Sequence, residues 1–165
     1  MLKIVQKPVD KLIPYVNNSR THSDEQIAQI AASIKEFGWT NPILVDGENG
    51  IIAGHGRLMA ARKLGYTEVP TIELKDLTKT QRKAYIIADN KLSLNAGWDD
   101  EILRFELGEL DAAGFDLELT GFVGDDLTET MFGKDFAQDS PEDFKEVDES
   151  ELEKKCPRCG FEFDE

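Results

Sequence analysis

The chain has 165 residues, 40% of them hydrophobic, and a formal net charge of −14. This length suits one compact domain with a tail, and no apolar run reaches the roughly 18 residues that suggest a membrane-spanning helix. The first residues lack the apolar segment of a secretory signal, so we expect a cytoplasmic protein that has no membrane partner.

The negative charge is unevenly distributed along the chain. Residues 1–97 hold 13 Lys/Arg and 10 Asp/Glu, whereas residues 98–133 hold one base and 11 acids. Residues 134–165 hold 5 bases and 12 acids. The acidity therefore belongs to the second half, and we expect phosphate-bearing partners to bind only the first.

The first half of the chain alternates short strands with helices. The predicted elements are an edge strand within residues 4–12, a helix over 24–37, a hairpin over 42–53, a helix over 57–64, a strand over 69–74 and a helix over 79–92. The first helix has the clearest boundaries. Ser23 with Gln26 forms the pattern of a capping box at its start, and Gly38 ends it.

The second half is predicted to be helical and then irregular. An acidic helix is predicted over residues 99–113 and a shorter one over 125–132. From Gly133 to Lys155 few large apolar residues stand among many acids, so we expect a disordered linker. We therefore divide the chain into four parts: a body of residues 1–97, an acidic helical extension (98–133), an acidic linker (134–155) and a tail (156–165).

The most informative segment is the turn between the hairpin and the second helix, Ala53-Gly54-His55-Gly56-Arg57. Two glycines one residue apart let the backbone adopt positive φ and let a ligand approach closely, while the first amides of the helix attract an anion. Arg57 adds a guanidinium suited to phosphate. The alternative is a tight strand-to-helix connection that binds nothing.

Three segments carry a resemblance to a known family. Gly-Trp-Thr-Asn-Pro-Ile at 38–43 resembles the Gly-x-x-Gln-Pro-Ile segment of the ParB/sulfiredoxin superfamily, and residues 53–61 resemble its Ala-Gly-Glu-Arg-Arg box. Ala88-Asp89-Asn90-Lys91 resembles its later Glu-Asn segment. The chain is similar in particular to ParB-like nuclease domain proteins of phages and mobile elements, which often accompany DNA methyltransferases. The resemblance implies an α+β fold, a small mixed sheet carrying helices, to which the acidic helical extension is added.

The resemblance also implies a nucleotide site, which in ParB proteins holds cytidine triphosphate (CTP) with magnesium. By this resemblance Gly54, Gly56 and Arg57 would contact phosphates, and Asn41 with Pro42 would line the pocket. Arg20 lies in a polar loop that could close over the pocket and clamp a phosphate.

Asp89 and Asn90 would hold the magnesium ion, because carboxylate and amide oxygens are hard ligands. The alternative for this pair is a helix end that caps itself. His55 and Asp89 are the candidate catalytic residues. His55 could act as a general base or phosphate donor, or it could simply order the loop.

The box departs from the family pattern at two positions. His55 and Gly56 stand where the family has Glu and Arg, which removes a cation and predicts a weaker triphosphate site or a different ligand. Sulfiredoxins have their catalytic cysteine at the position of His55, so a sulfinic-acid reductase is excluded. Free-serine kinases of the superfamily carry His in this box, which leaves a small-molecule kinase as an alternative.

Any contact of the body with DNA is expected to use one group of basic residues, with solvated helix faces as the alternative. The group is Arg57, Arg62, Lys63, Lys79, Arg82 and Lys83. ParB partition proteins continue with helix-turn-helix and dimerisation domains, but residues 98–132 are too few for both and too acidic for a basic recognition face. We therefore expect DNA binding without sequence specificity.

The tail contains the chain's two cysteines, in Cys156-Pro157-Arg158-Cys159-Gly160. Two thiolates on such a tight turn are typical of a zinc knuckle. Zinc normally needs four ligands, so this site is incomplete and would need a second chain, a partner or nearby acids. A redox-sensitive pair is the alternative.

These patterns lead to one function hypothesis and two alternatives. We expect a nucleotide-binding, DNA-associated accessory protein in a bacterial host cell, with a DNA methyltransferase as candidate partner and a homodimer as an open possibility. The first alternative is a magnesium-dependent nuclease or nucleoside triphosphatase. The second is a non-catalytic adaptor for a methyltransferase or another DNA-processing protein.

Overall fold

A computed structural model describes residues 2–133 and the backbone of residues 154–155 and 162–163. The chain divides into two compact units, residues 1–123 and 124–165. The first contains β1 (Ile4–Pro8), α1 (Asp24–Phe37), β2 (Ile43–Val45), β3 (Ile51–Ala53), α2 (His55–Leu64), β4 (Glu68–Glu73), α3 (Lys79–Ser93) and α4 (Asp100–Ala112), with 3-10 turns at Val9–Lys11 and Leu117–Thr120. The second contains α5 (Gly124–Phe132) and the strands β5 (Lys154–Lys155) and β6 (Glu162–Phe163). None of the described helices is long and apolar enough to cross a membrane.

The first unit is built on a four-stranded sheet in the order β1-β4-β2-β3. β1 runs antiparallel to β4, β2 runs parallel to β4, and β2 and β3 form an antiparallel hairpin. The predicted mixed sheet, its edge strand β1 and its hairpin are therefore confirmed. The parallel pair requires a crossover, and the chain makes it through α2.

The main core lies between the sheet and α2, and α1 packs on α2 through a second, smaller cluster. Strand residues Ile43, Val45 and Val69 are fully buried and pack with Leu58 of α2. Trp39 contacts both this cluster and the smaller one that joins α1 to α2. The loop that carries Trp39 is thereby held between the two helices, close to the start of α2.

Helix α1 has the predicted bounds, but its capping box is only half formed. Ser23 Oγ accepts the amide of Gln26 at 3.1 Å. The Gln26 side chain lies 2.8 Å from His22 Nδ1 and bonds there. Helix α2 begins two residues earlier than predicted, because Gly54 takes the left-handed conformation (φ 99°) and serves as its N-cap.

Part of the acidic extension packs with the body. The first compact unit continues to Val123, and its 3-10 turn Leu117–Thr120 lies against α1. The rings of Phe37 and Phe115 stack with centroids 6.1 Å apart. The predicted linker lies outside the described residues except for β5, and so do Cys156 and Cys159.

Candidate functional site

A cavity of about 600 Å³ opens at the start of α2. Its walls come from the loop before α1, the inner face of α1, the loop before β2, the glycine turn, the end of α3 and the second 3-10 turn. The lining residues include Arg20, Asn41, Gly54, His55, Gly56, Arg57, Asp89 and Asn90. The structure thus brings together eight predicted site residues that are spread over about seventy positions of sequence.

The two glycines of the turn serve different purposes. Gly54 has φ 99°, and a Cβ there would lie 3.3 Å from Ile43 Cγ1, so the position needs glycine for its conformation. Gly56 is helical, and a Cβ there would come within 2.9 Å of Ile30 Cδ1 and 3.1 Å of His22 Cε1. Gly56 therefore allows α1 and the loop before it to approach α2 closely.

Arg57 is fixed to the neighbouring backbone. Its Nη1 donates to the carbonyl oxygens of Asn41 and Pro42, both at 2.8 Å. Burial lowers the pKa of Arg57, and Asp89 acts in the opposite direction. The guanidinium remains charged, because an arginine pKa starts far above neutrality. Pro42 does not line the cavity itself but helps to hold the cation that does.

His55 is buried, with 7% of its surface exposed. Its Nε2 accepts the backbone amide of Tyr15 at 3.1 Å, which requires Nε2 to be unprotonated. Burial lowers the pKa of His55, and the nearby His22 lowers it further. The neutral imidazole thereby ties the loop before α1 to the glycine turn, and this geometry favours the loop-ordering interpretation.

Asp89 and Asn90 lie near the end of α3, facing the same cavity. Asn90 Nδ2 donates to the carbonyl of Ile86 at 2.8 Å, so its amide group is held by its own helix while Oδ1 remains an acceptor. Burial raises the pKa of Tyr85, and the nearby Asp89 carboxylate raises it further. No cluster of three or more His, Cys, Asp or Glu side chains suited to a metal occurs in the described part of the chain.

Arg20 reaches the cavity from the loop before α1. The side chain of Asn18 holds the backbone of Arg20 in a local turn, accepting from its amide at 3.3 Å and donating to its carbonyl at 3.1 Å. This turn presents the arginine side chain at the cavity rim.

Several lining residues were not predicted from the sequence. They are Gln26, Gln29 and Ser33 of α1, Ser93 of α3, and Leu119, Thr120 and Gly121 of the second 3-10 turn. The helical periodicity of α1 marks its apolar face, and the polar residues beside that face carry no local signal. The wall at Leu119 depends on long-range packing of the extension.

A family model described as the ParB N-terminal domain matches residues 2–90. The chain belongs to this family, as its motifs predicted. A second model, the ParB-methyltransferase HTH domain, matches residues 101–158. The segment that we described as an acidic extension and linker is therefore matched as a helix-turn-helix domain, which the sequence reasoning did not identify.

Two curated relatives agree with this family. The ParB-like nuclease domain-containing protein YnaK of Escherichia coli (strain K12) is 56% identical over 82 residues, covering 50% of this chain and 94% of YnaK. A nucleoid occlusion protein of Geobacillus thermodenitrificans is 38% identical over 88 residues, which is 50% of this chain but only 31% of that protein.

The fold resembles a crystal structure of the C-terminally truncated chromosome-partitioning protein ParB from Caulobacter crescentus complexed with CTP-γ-S. The TM-score is 0.57 at 23% identity, and the match covers 80% of this chain and 72% of that one. This similarity confirms the predicted α+β fold.

Proposed function

We propose that this protein binds a nucleoside triphosphate, with CTP as the first candidate, and magnesium in the cavity at the start of α2. We further propose that it acts as a DNA-associated accessory protein. The observation that carries the proposal is the convergence of the Gly54 turn, Arg57, Asp89 and Asn90 on one cavity of about 600 Å³. The CTP analogue in the structurally similar ParB supports this choice of ligand.

The phosphates would lie at the first turn of α2. The first amides of a helix have no partner within the helix, and they attract anions together with the helix dipole. Two of the five N–H groups of Arg57 are used by carbonyl oxygens, which leaves three for phosphate oxygens. Arg20 at the rim would supply a second cation.

The donor set fits magnesium. Asp89 offers a carboxylate and Asn90 an amide oxygen, and magnesium in nucleotide sites takes few protein ligands because phosphates and water supply the others. Bound there, the ion would neutralise phosphate charge.

The test is calorimetric titration of the full chain with CTP, ATP, GTP and UTP, with and without magnesium. We expect one nucleotide to bind with magnesium, and Arg57→Ala to lose about tenfold or more of the affinity, because charge-assisted hydrogen bonds disappear. Asp89→Asn should bind with a reduced magnesium dependence.

Arg62→Ala is the matched control for Arg57→Ala. Arg62 lies on the same helix, is exposed, and does not line the cavity. Its removal should leave nucleotide affinity unchanged. Equal affinity of the Arg57 variant and the parent, at equal thermal stability, would refute the pocket and favour the adaptor alternative.

Hydrolysis is the second candidate activity, and the same samples test it. Asp89 is the candidate group, while His55 Nε2 is engaged by the Tyr15 amide. Magnesium-dependent release of phosphate, or cutting of plasmid DNA, that disappears in Asp89→Asn would assign an enzyme. Binding without either product would assign a nucleotide-dependent binding protein.

The match to a methyltransferase-associated helix-turn-helix domain supports DNA association and a DNA methyltransferase as partner. We propose that the body adds phosphate contacts through Arg62, Lys63, Lys79 and Lys83, which are exposed. Arg82 contributes less than predicted, because it forms an ion pair with Asp46. DNA affinity should fall steeply with salt if these contacts form.

We also propose zinc at Cys156 and Cys159. β5 and β6 pair antiparallel on either side of this segment in sequence, with Lys154 opposite Phe163. Structural zinc sites take four ligands, so a second copy could complete four thiolates in a homodimer. Zinc binding at one ion per two chains, lost with Cys156→Ser, would support the shared site. One ion per chain would indicate ligands from the acids of the same chain.

A further inference from the structure

Strand β1 forms one edge of the sheet, and its outer side pairs with no other strand in the described residues. Hydrogen bonds at the ends of β4 show which backbone groups are used. Leu74 N donates to Val45 O at 2.8 Å, so even-numbered residues along β4 bond toward β2. Val9 N donates to Thr67 O at 2.9 Å, so odd-numbered residues bond toward the chain of β1.

This alternation leaves Ile4, Gln6 and the carbonyl of Pro8 in β1 with their backbone groups facing outward. Val5 lies opposite Thr71 and bonds toward β4, whereas Gln6 lies opposite Pro70, which has no N–H to donate. In an antiparallel strand, residues that bond one neighbour alternate with residues that face the other way. The N–H and C=O groups of Ile4 and Gln6 therefore face the open edge.

Three apolar side chains on neighbouring strands form a row across one face of the sheet, and the row ends at β1. Ile4 lies opposite Ile72, and Ile72 lies opposite Leu44, so the three side chains share one face of the sheet. Ile4 is 64% exposed, and Leu2 beside it is 65% exposed. A cavity of about 790 Å³ is lined by Leu2, Leu44 and Ile72, among other residues, but not by Ile4. A further strand beyond β1 would extend the row and cover Ile4.

The charges on β1 indicate what that strand should carry. Lys3 and Lys7 alternate with Ile4 and Gln6 and so lie on the opposite face of β1, about 13 Å apart along the strand. Lys7 Nζ donates one of its three hydrogen bonds to Asn49 Oδ1, which leaves two N–H groups for an acid. Residues 2–9 contain no acid. A second copy paired antiparallel about Val5 would place Lys3 opposite Lys7 of that copy, and like charges directly opposed are destabilising.

We propose that β1 is the docking edge for an extended segment of a partner protein that alternates acidic and aliphatic residues. Main-chain hydrogen bonds to Ile4 and Gln6 join the segment to the sheet. Its aliphatic residues lie opposite Ile4 and Gln6, and its acidic residues lie opposite Lys3 and Lys7. This surface is separate from the nucleotide cavity, since neither Ile4 nor Gln6 lines it.

The test uses the full chain and a synthetic peptide with the core Glu-Ile-Thr-Ile-Glu, followed by NMR of the backbone amides. We expect saturable shifts at the amides of Ile4 and Gln6. The variant Gln6→Pro should weaken binding about tenfold or more, because it removes an outward N–H while no bond to β4 depends on that group. Val5→Pro is the contrasting variant, because it removes a bond inside the sheet and should destabilise the protein itself.

If Gln6→Pro fails to fold, a second test reverses the charge at Lys3 and, in a matched peptide, the charges of the two glutamates. Lys3→Glu should lose affinity for the glutamate peptide and gain affinity for the same peptide with lysines in place of glutamates. Binding that is equal in all variants, or no shift at millimolar peptide, would overturn the proposal and leave Lys3 as a residue that prevents strand pairing. Concentration-dependent self-association that Gln6→Pro abolishes would also overturn it, because the occupant would then be a second copy.

Discussion

At the scale of single residues, the site depends on backbone conformation that only particular side chains permit. Gly54 is the clearest example, because its φ of 99° lies in the left-handed region and Ile43 fills the space beside it. We predict that Gly54→Ala destabilises the protein by about 1–2 kcal/mol. Urea unfolding measures this, with Gly108→Ala as control.

Gly108 lies within α4, and a Cβ there meets no atom within 4 Å. The free energy of unfolding of the Gly108→Ala control should therefore rise by about 0.5–1 kcal/mol, because alanine favours a helix interior more than glycine does. A Gly54→Ala variant as stable as the parent would show that the turn can rearrange. The anion site argued from its geometry would then lose its basis.

His55 should make stability depend on pH. Its pKa is lowered in the folded state by burial and by His22, so the folded protein favours the neutral ring. Its contribution is then complete above the ordinary histidine pKa of about 6.5 and is lost as the pH falls from there through the lowered value. Urea unfolding should give lower stability at pH 5.5 than at pH 7.5.

The variant His55→Gln isolates this effect, because an amide oxygen can still accept the Tyr15 amide but does not titrate. Its stability should change less between the two pH values than that of the parent. The variant His22→Gln retains His55 and should keep most of the pH dependence of stability. The assignment to His55 fails if His55→Gln retains the full difference.

At the scale of elements, local signals in the sequence predicted the helices and the hairpin well. α1 begins after Ser23 and ends before Gly38 as the cap residues indicate. The start of α2 was missed by two residues, because a glycine N-cap in the left-handed region has no side-chain signal. The hydrogen bond between the Gln26 side chain and His22 was also unpredictable, because it depends on how the loop before α1 folds back onto the helix.

The hairpin and α3 are joined through one carboxylate. Asp46 Oδ1 accepts the amides of Glu48 and Gly50 at 2.8 and 2.7 Å, and Asp46 also pairs with Arg82. Asp46→Ala should lower the free energy of unfolding by about 2 kcal/mol, because it removes hydrogen bonds to a charged, mostly buried group. Chemical unfolding measures this.

Glu73→Ala is the control for this pair, since Glu73 contacts only the exposed Lys75 at 3.7 Å among the ion pairs of the described residues. An exposed pair of this kind contributes less than about 1 kcal/mol. Comparable losses of stability in the two variants would contradict the larger contribution predicted for Asp46.

At the scale of the whole molecule, the sequence predicted eight of the residues that line the cavity but neither the polar residues of α1 nor the wall that the extension adds. The family motifs placed Arg57, Asp89 and Asn90 together, and the structure agrees. Leu119–Gly121 come from a segment for which no site residue was predicted, and they lie at the cavity in a turn that packs against α1 beside the stacked rings of Phe115 and Phe37. Such long-range packing leaves no periodic trace in the sequence.

We predict that Phe115→Ala loosens this wall. Loss of a partly buried ring should lower the free energy of unfolding by about 1–2 kcal/mol. Amide hydrogen exchange over residues 115–121 should become faster. Nucleotide affinity should fall as well. Phe105→Ala is the control, because Phe105 is 62% exposed on α4 and its loss should change stability by about 0.5 kcal/mol or less. Unchanged affinity in the Phe115 variant would show that the ligand does not use this wall.

The anchoring of Arg57 has a consequence for how fast a ligand can bind. Its guanidinium is already held by the carbonyl oxygens of Asn41 and Pro42, so its rotational freedom is lost when the chain folds and not when a ligand arrives. Rapid-mixing experiments should therefore show a single association phase whose rate rises linearly with nucleotide concentration, with no slower rearrangement of the arginine behind it.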